Sequence, residues 1–161
     1  MSKYLYILRH AQADMGFNQK DADRPLTAHG YEQAKNITAH LKDIDMALCS
    51  SAVRTRETLE TAIAHGETPN KIKFTHDLYN ASADIILQEI RDVYAQNLLI
   101  VAHNPGVHLV AHELTKSDNS PLHDKLSMSY PPCSLTILEC DIEDWSTIGK
   151  NSNQLLDFIT L

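Results

Sequence analysis

The sequence predicts a three-layer α/β/α domain built on a mostly parallel central sheet. Residues 4–8 and 98–102 form short, uncharged apolar runs, which are typical of strands buried on both faces of a parallel sheet. Segments with helical periodicity separate the predicted strands, as in βαβ units. The length of 161 residues suits one hydrophobic core, so we expect a single domain over residues 1–161.

The composition is ordinary for a soluble globular protein, with 43% hydrophobic and 22% charged residues. The net charge of −7 argues against general nucleic-acid binding, which needs a basic face, but it allows a local basic pocket. No stretch reaches the roughly 20 apolar residues that cross a bilayer, and the first strand leaves no room for a signal peptide. We therefore expect a cytoplasmic protein without membrane contact.

The three cysteines, Cys49, Cys133 and Cys140, are widely spaced and form no CxxC motif. This spacing predicts reduced, mostly buried thiols rather than a structural zinc site.

The first predicted strand ends at Arg9 and His10, and a polar loop over residues 12–25 follows it. Loops of this length in small domains are often functional, although a solvated surface loop has the same composition. Thr27 is the expected N-cap of a helix that ends near Lys42.

The middle of the chain continues the alternation of strands and helices. The expected elements are, in order, a strand at 45–50, a helix capped by Ser50 or Ser51 and ending near His65, a weak strand at 71–75, a helix at 82–94 capped by Ser82 or Asp84, a strand at 98–102, and a helix with Asn104 as N-cap and Pro105 at N1 that ends near Leu114.

The last third of the chain carries no motif that indicates chemistry. We expect a short helix near residues 124–128, a strand at 134–139, and edge strands at 145–148 and 155–161.

Three of the predicted strands are followed by basic side chains. Arg9 and His10 follow the first strand, Arg54 lies near the start of the helix after the second, and His103 follows the strand at 98–102. Because the carboxyl ends of parallel strands lie at one edge of a sheet, where ligands bind, we expect these side chains to converge. Arginine pairs with phosphate oxygens, histidine can attack phosphorus, and helix N-termini would add N–H donors. The cluster predicts a phosphoryl site, whereas Arg9 and His10 alone favour a strand-end cation pair without chemistry.

These segments resemble the histidine phosphatase superfamily, which has the phosphoglycerate mutase-like fold. The matching segments are LRHA at 8–11, SAVRTRET at 51–58 and VAHNPG at 101–106. The chain is most similar to the small SixA-type phosphohistidine phosphatases, because it is short and carries DRPLTAHG at 23–30 and LYNA at 78–81.

The resemblance implies that His10 is the nucleophile and forms a phosphohistidine intermediate. It also implies that Arg9 and Arg54 bind the phosphoryl oxygens and that His103 completes the catalytic pocket. For attack, His10 must be neutral, with its second ring nitrogen donating to a backbone carbonyl, and the surrounding cations disfavour the imidazolium form.

Further candidate residues are less well defined by the resemblance. Arg24 and Asn104 are candidates for substrate binding, although Arg24 could equally form a structural pair with Asp23 or with a helix end. Ala11 replaces the glycine usual in the family. Asp77 is the candidate general acid for an ester substrate, but a surface aspartate or a cap fits the same position. Without an assured acid, phosphohistidine is favoured over alkyl phosphate esters, because a protonated imidazole leaves readily.

The main interpretation is therefore a cofactor-independent phosphatase that acts on phosphohistidine in a phosphocarrier or phosphotransfer protein and binds phosphate or sulfate in its pocket. The alternatives are a phosphatase of small phosphate esters that uses Asp77, and an inactive phosphate-binding module.

His108 and His112 are four residues apart on one predicted helix, but the glutamate of an HExxH motif is absent, so no metal is assigned.

Overall fold

The computed structural model describes residues 2–161, in which six strands form one sheet. The strands are β1 (Lys3–Arg9), β2 (Met46–Ser50), β3 (Lys71–Thr75), β4 (Asn97–Ala102), β5 (Leu135–Cys140) and β6 (Gln154–Ile159). The helices are α1 (Ala28–Ile37), α2 (Val53–Ala64), α3 (Ala83–Arg91), α4 (Gly106–Leu114) and α5 (Pro121–Met128). Short 3₁₀ turns lie at Asp21–Asp23, Thr38–His40, His76–Leu78 and Trp145–Thr147.

The sheet has the strand order β3-β2-β4-β1-β5-β6, and β1 to β4 are parallel to one another. β5 pairs antiparallel with β1, and β6 pairs antiparallel with β5. Arg9 pairs with Ala102, and Ser50 pairs with Thr75. The carboxyl ends of the four parallel strands thus lie at one edge of the sheet.

The two faces of the sheet carry separate cores, because side chains alternate along each strand. On β1, Leu5 and Ile7 pack with α3 and α4, while Tyr6 and Leu8 pack with α1 and α2. Burial of each large apolar side chain contributes about 1.5–3 kcal/mol, so covering both faces accounts for the apolar runs that predict β1 and β4. The predicted three-layer α/β/α fold is confirmed.

Two predicted helix caps are correct, whereas the predicted end of α1 is not. Thr27 accepts a hydrogen bond from the N–H of Gly30, and Ser82 accepts one from the N–H of Ile85. α1 ends at Ile37 rather than near Lys42, because the chain tightens into a 3₁₀ turn.

Two predicted caps are wrong. Ala52, rather than Ser50 or Ser51, is the N-cap of α2, and Pro105, rather than Asn104, is the N-cap of α4. Neither helix start has a side-chain cap. The polar side chains at both positions bind other parts of the molecule instead, and these contacts lie in the candidate site.

The segment predicted as an edge strand at 145–148 is a 3₁₀ turn. Asp144 caps this turn by accepting from the N–H of Ser146, and the Trp145 side chain is fully buried against the core. Its indole N–H donates to the carbonyl oxygen of Ala95 at 2.8 Å. A buried anchor that needs a specific partner thus overrides the strand preference of an aromatic residue.

Within residues 2–161, no helix is both long enough and apolar enough to span a membrane.

The three cysteines are free and buried, as predicted, and burial raises the pKa of the Cys133 and Cys140 thiols to about 12.

Candidate active site

The side chains predicted from three separate strand ends lie together at the carboxyl edge of the sheet. The ring centroids of His10 and His103 are 5.4 Å apart, and the ring of Tyr79 lies 5.6 Å from that of His103. The guanidinium carbon of Arg54 is 5.9 Å from the Tyr79 ring centroid. His10, Arg54 and His103 are all buried, so the two imidazoles and the guanidinium group share one buried cluster at this edge.

His10 is held in one orientation by a hydrogen bond within its own turn. Its Nδ1 lies 2.7 Å from the carbonyl oxygen of Ala11, which can only accept, so Nδ1 carries the proton and Nε2 keeps its lone pair. Burial, reinforced by Arg54 and Arg9, lowers the pKa of His10 to about 4, although the hydrogen bond to Ala11 opposes this shift. His10 is therefore neutral at pH 7 and has the form that a nucleophile requires.

Three elements fix the backbone that carries His10. Its N–H donates to the carbonyl oxygen of Ala102 in β4, and its carbonyl oxygen accepts from the N–H of Cys133 at 2.9 Å. The N–H of Ala11 donates to the hydroxyl of Thr58, which in turn donates to the carbonyl oxygen of Arg54. Thr58 was not recognised from the sequence as a site residue, although it lies within the segment at 51–58 that carries the family resemblance.

Arg54 and Arg24 converge on one carboxylate, that of Asp21. Arg54 donates from Nη1 to the Asp21 carbonyl oxygen at 2.8 Å and pairs with its carboxylate from Nη2 at 3.1 Å. Arg24 pairs with the other carboxylate oxygen at 3.0 Å, and the Tyr79 hydroxyl also donates to Asp21. These partners, with the Tyr79 hydroxyl first among them, hold the pKa of Asp21 well below its usual range. The predicted pairing of Arg24 with Asp23 is wrong, because its partner is Asp21.

His103 is 2% exposed and is held by a strand-end serine. Its Nε2 lies 2.7 Å from the hydroxyl oxygen of Ser50, the last residue of β2. Burial, followed by the charge of Arg54, lowers the pKa of His103 to about 3, so this ring is also neutral at pH 7. Ser50 therefore orients a site histidine and is not the predicted helix cap.

The carbonyl oxygen of Tyr130 joins two of the predicted site residues. It accepts from Nη1 of Arg9 at 3.0 Å and from the side-chain amide of Asn104 at 2.8 Å. The Tyr130 hydroxyl is buried and donates to the carbonyl oxygen of Ile7 in β1. The last third of the chain, which carries no recognisable motif, thus supplies a wall of the site.

Asp77, the candidate general acid, is exposed in the 3₁₀ turn after β3. Within residues 2–161 its carboxylate forms no hydrogen bond or ion pair, and only its backbone N–H is bonded, to the Thr75 hydroxyl. The carboxylate beside the arginines is that of Asp21. Asp21 was not recognised from the sequence as a site residue, because only the folded loop brings Arg54 and Arg24 to the same carboxylate.

The histidines of α4 serve structural contacts. Nε2 of His108 lies 2.7 Å from the carbonyl oxygen of Leu126, and the His108 ring stacks on Tyr130. Across residues 2–161 no three histidine, cysteine or acidic side chains are grouped so as to hold a metal ion.

Comparison with known families gives a match to the model of the histidine phosphatase superfamily (branch 1) over residues 5–82. An uncharacterized protein of Mycobacterium leprae (strain TN) is 30% identical over 162 residues, which cover 94% of this chain and 98% of that protein. An uncharacterized protein of Mycobacterium tuberculosis (strain CDC 1551 / Oshkosh) is 28% identical over 159 residues, with the same coverage.

Similar solved structures include proteins assigned as the phosphohistidine phosphatase SixA. The one from Nakamurella multipartitia has a TM-score of 0.85 and 26% identity, covering 99% of this chain and 96% of that chain. The one from Agrobacterium tumefaciens has a TM-score of 0.81 and 25% identity, covering 99% and 98%. The protein histidine phosphatase SixA in complex with tungstate has a TM-score of 0.75 at 18% identity, covering 98% and 96%, and shares the fold.

Proposed function

The chain belongs to the histidine phosphatase superfamily, and we propose that it is a phosphatase in which His10 attacks phosphohistidine carried by another protein. The observation that carries the proposal is the state of His10. Its Nδ1–H donates to the carbonyl oxygen of Ala11, and its Nε2 has no partner within residues 2–161. A buried, neutral imidazole with one bare nitrogen beside Arg9 and Arg54 is arranged for attack on a phosphoryl group.

In the first step, Nε2 of His10 forms a bond to phosphorus while the bond from phosphorus to the substrate imidazole breaks. The electron pair of that bond stays on the departing nitrogen, and the other ring nitrogen of the substrate already carries a proton, so a neutral imidazole leaves. Arg9 and Arg54 bind the phosphoryl oxygens and offset the charge that builds up during transfer.

In the second step, water attacks phosphorus and the bond to Nε2 breaks. The electron pair returns to Nε2, the proton stays on Nδ1 and keeps its hydrogen bond to the Ala11 carbonyl oxygen, and the water proton is released with inorganic phosphate. Both leaving groups are therefore neutral imidazoles, and neither step requires a proton from an acidic side chain.

The states of the two candidate carboxylates, Asp21 and Asp77, favour a substrate that leaves as a neutral imidazole. Asp21 is ionised, since three donors hold its pKa well below the usual range, and an ionised carboxylate has no proton to give an ester oxygen. Asp77 is exposed and forms no side-chain contact within residues 2–161 that would aim it at His10. An alkyl phosphate ester needs an acid, whereas phosphohistidine does not.

The partner is accordingly a protein that bears phosphohistidine, and the pocket binds phosphate or sulfate through the same arginines. Arg24 and Asn104 complete the substrate-binding set. Arg24 contacts the carboxylate that holds Arg54, and Asn104 shares the Tyr130 carbonyl oxygen with Arg9.

The test follows the loss of ³²P from a phosphohistidine-bearing phosphocarrier domain, with para-nitrophenyl phosphate and sugar phosphates as ester substrates. We expect dephosphorylation of the carrier by the wild-type protein and a loss of at least about 10³-fold in His10→Ala. Asp77→Asn is expected to stay within about twofold of the wild-type rate. Activity of His10→Ala equal to wild type contradicts the mechanism, and strong ester turnover that depends on Asp77 contradicts the substrate.

A further inference from the structure

Asp21 is the one residue that contacts Arg54, Arg24 and Tyr79 together within residues 2–161. Its backbone carbonyl oxygen accepts from Nη1 of Arg54, and its carboxylate accepts from Nη2 of the same guanidinium. The carboxylate also accepts from Nη1 of Arg24 and from the Tyr79 hydroxyl. The sequence does not predict any role for this aspartate beyond a place in a polar loop.

These contacts determine the orientation of Arg54. A guanidinium group has five N–H donors in one plane, and two of its three nitrogens are occupied by Asp21. Tyr79 is the other neighbour of this guanidinium, whose carbon lies 5.9 Å from the Tyr79 ring centroid. The guanidinium plane is therefore set by Asp21, and the remaining donors are left for a ligand.

The same carboxylate fixes Arg24, which reaches the site from the loop before α1. Its Nε donates to the carbonyl oxygen of Asp14 at 2.7 Å, and its stem lies against Gly16, where an added Cβ would come within 2.6 Å of it. Asp21 adds the third restraint, at Nη1. Two arginines from distant parts of the chain are thus joined through one negative group.

We propose that Asp21 is a positioning residue, which holds Arg54 and Arg24 in the orientation that binds the phosphoryl group. The inference rests on the proposed function, because it names the group that orders the phosphoryl site. Asp21 does not touch the reacting atoms. It acts through the two guanidinium groups, and it lowers the entropy that they would lose on binding substrate.

The charge of Asp21 and its positioning role predict opposite changes in oxyanion affinity when Asp21 is replaced. The direction of the measured change therefore distinguishes the two effects. Asp21 carries a negative charge close to an anion site, so its charge alone weakens the binding of a phosphoryl dianion. If repulsion were its main effect, Asp21→Asn would bind an oxyanion more tightly. If positioning is its main effect, Asp21→Asn binds the oxyanion more weakly despite the gain in net positive charge.

The experiment measures the Kd of tungstate by isothermal titration calorimetry for wild type, Asp21→Asn and Asp23→Asn. Asp23 is the matched control, because it is an exposed aspartate of the same 3₁₀ turn and its carboxylate has no hydrogen bond or ion pair within residues 2–161. We expect the Kd to rise about 10- to 100-fold in Asp21→Asn and to change less than about twofold in Asp23→Asn. An unchanged or lower Kd in Asp21→Asn overturns the proposal.

Asp21→Glu tests geometry at constant charge and serves if the Asn variant does not fold. The extra methylene displaces the carboxylate, so we expect the Kd for tungstate to rise at least about threefold, and a wild-type Kd overturns the proposal. Thermal unfolding checks that each variant is folded.

Tungstate binding requires no turnover, so a wild type that binds tungstate but leaves phosphohistidine intact contradicts the proposed function alone. A wild type that binds no tungstate contradicts both.

Discussion

The neutral state of His10 has a consequence for stability that can be measured without any substrate. In the unfolded chain the imidazole has its ordinary pKa of about 6.5, whereas burial lowers the pKa of His10 in the folded protein to about 4. Between these two values the unfolded state binds more protons than the folded state, so protonation favours unfolding. Stability is therefore full above pH 6.5 and falls as the pH drops toward 4.

The size of this effect follows from the two pKa values. On lowering the pH from 7 to 5, the His10 contribution to the free energy of unfolding falls by about 2 kcal/mol. Aspartate and glutamate side chains stay mostly ionised over this window, so the histidines dominate the change. His103 adds to it with the same sign, because its pKa is lowered to about 3.

The assay is urea denaturation at pH 7 and pH 5 for wild type, His10→Asn and His29→Asn. We expect the loss of unfolding free energy between the two pH values to be smaller in His10→Asn by about 2 kcal/mol. His29 is an exposed histidine of α1, and its substitution is expected to leave the pH dependence unchanged. An equal pH dependence in wild type and His10→Asn would refute the assignment of a buried neutral imidazole at this position.

Two further predictions concern the frame around the site. Thr58→Val removes the hydroxyl that accepts from the N–H of Ala11, and the buried N–H left unpaired should cost about 1–3 kcal/mol in urea denaturation. The same variant should lower kcat, because the His10 turn loses its anchor on α2; wild-type stability and kcat would contradict this role. Gly30→Ala places a Cβ in steric conflict with the carbonyl oxygen of Gln12, so we expect a drop in Tm of more than about 5 °C. Gly149→Ala, whose Cβ would meet only the Ser152 side chain at 3.1 Å, is the control, and an equal Tm for the two variants would show that the close approach at Gly30 has no cost.

The mechanism places little demand on acidic residues, and this is a property of the whole site. Three arginines face two neutral histidines, and the carboxylate among them, Asp21, is committed to hydrogen bonds with cations and a phenol. Under the proposed function these arginines offset the transferring phosphoryl charge, and within residues 2–161 neither Asp21 nor Asp77 is arranged to donate a proton. This arrangement is consistent with the proposed transfer between imidazoles.

The sequence by itself determined the sheet and the main residues of the candidate site. Both faces of β1 and β4 are buried, so their sequences are continuous apolar runs that can be recognised without a structure. His10 and His103 directly follow these strands, and the parallel arrangement brings strand ends to one edge, so their convergence could be predicted. Their catalytic roles remain predictions that the substitutions above test.

Tertiary structure alone decided the partners of these residues. Serine and asparagine are residue types that commonly cap helices, which is why Ser50 and Asn104 were predicted as caps. Instead Ser50 contacts His103 and Asn104 donates to the carbonyl oxygen of Tyr130, because long-range partners competed with the local ones. Asp21 lies 33 residues from Arg54, and Tyr130 lies 121 residues from Arg9. Contacts between loops at such separations depend on where the folded sheet places each loop, and neither periodicity nor local propensity encodes them.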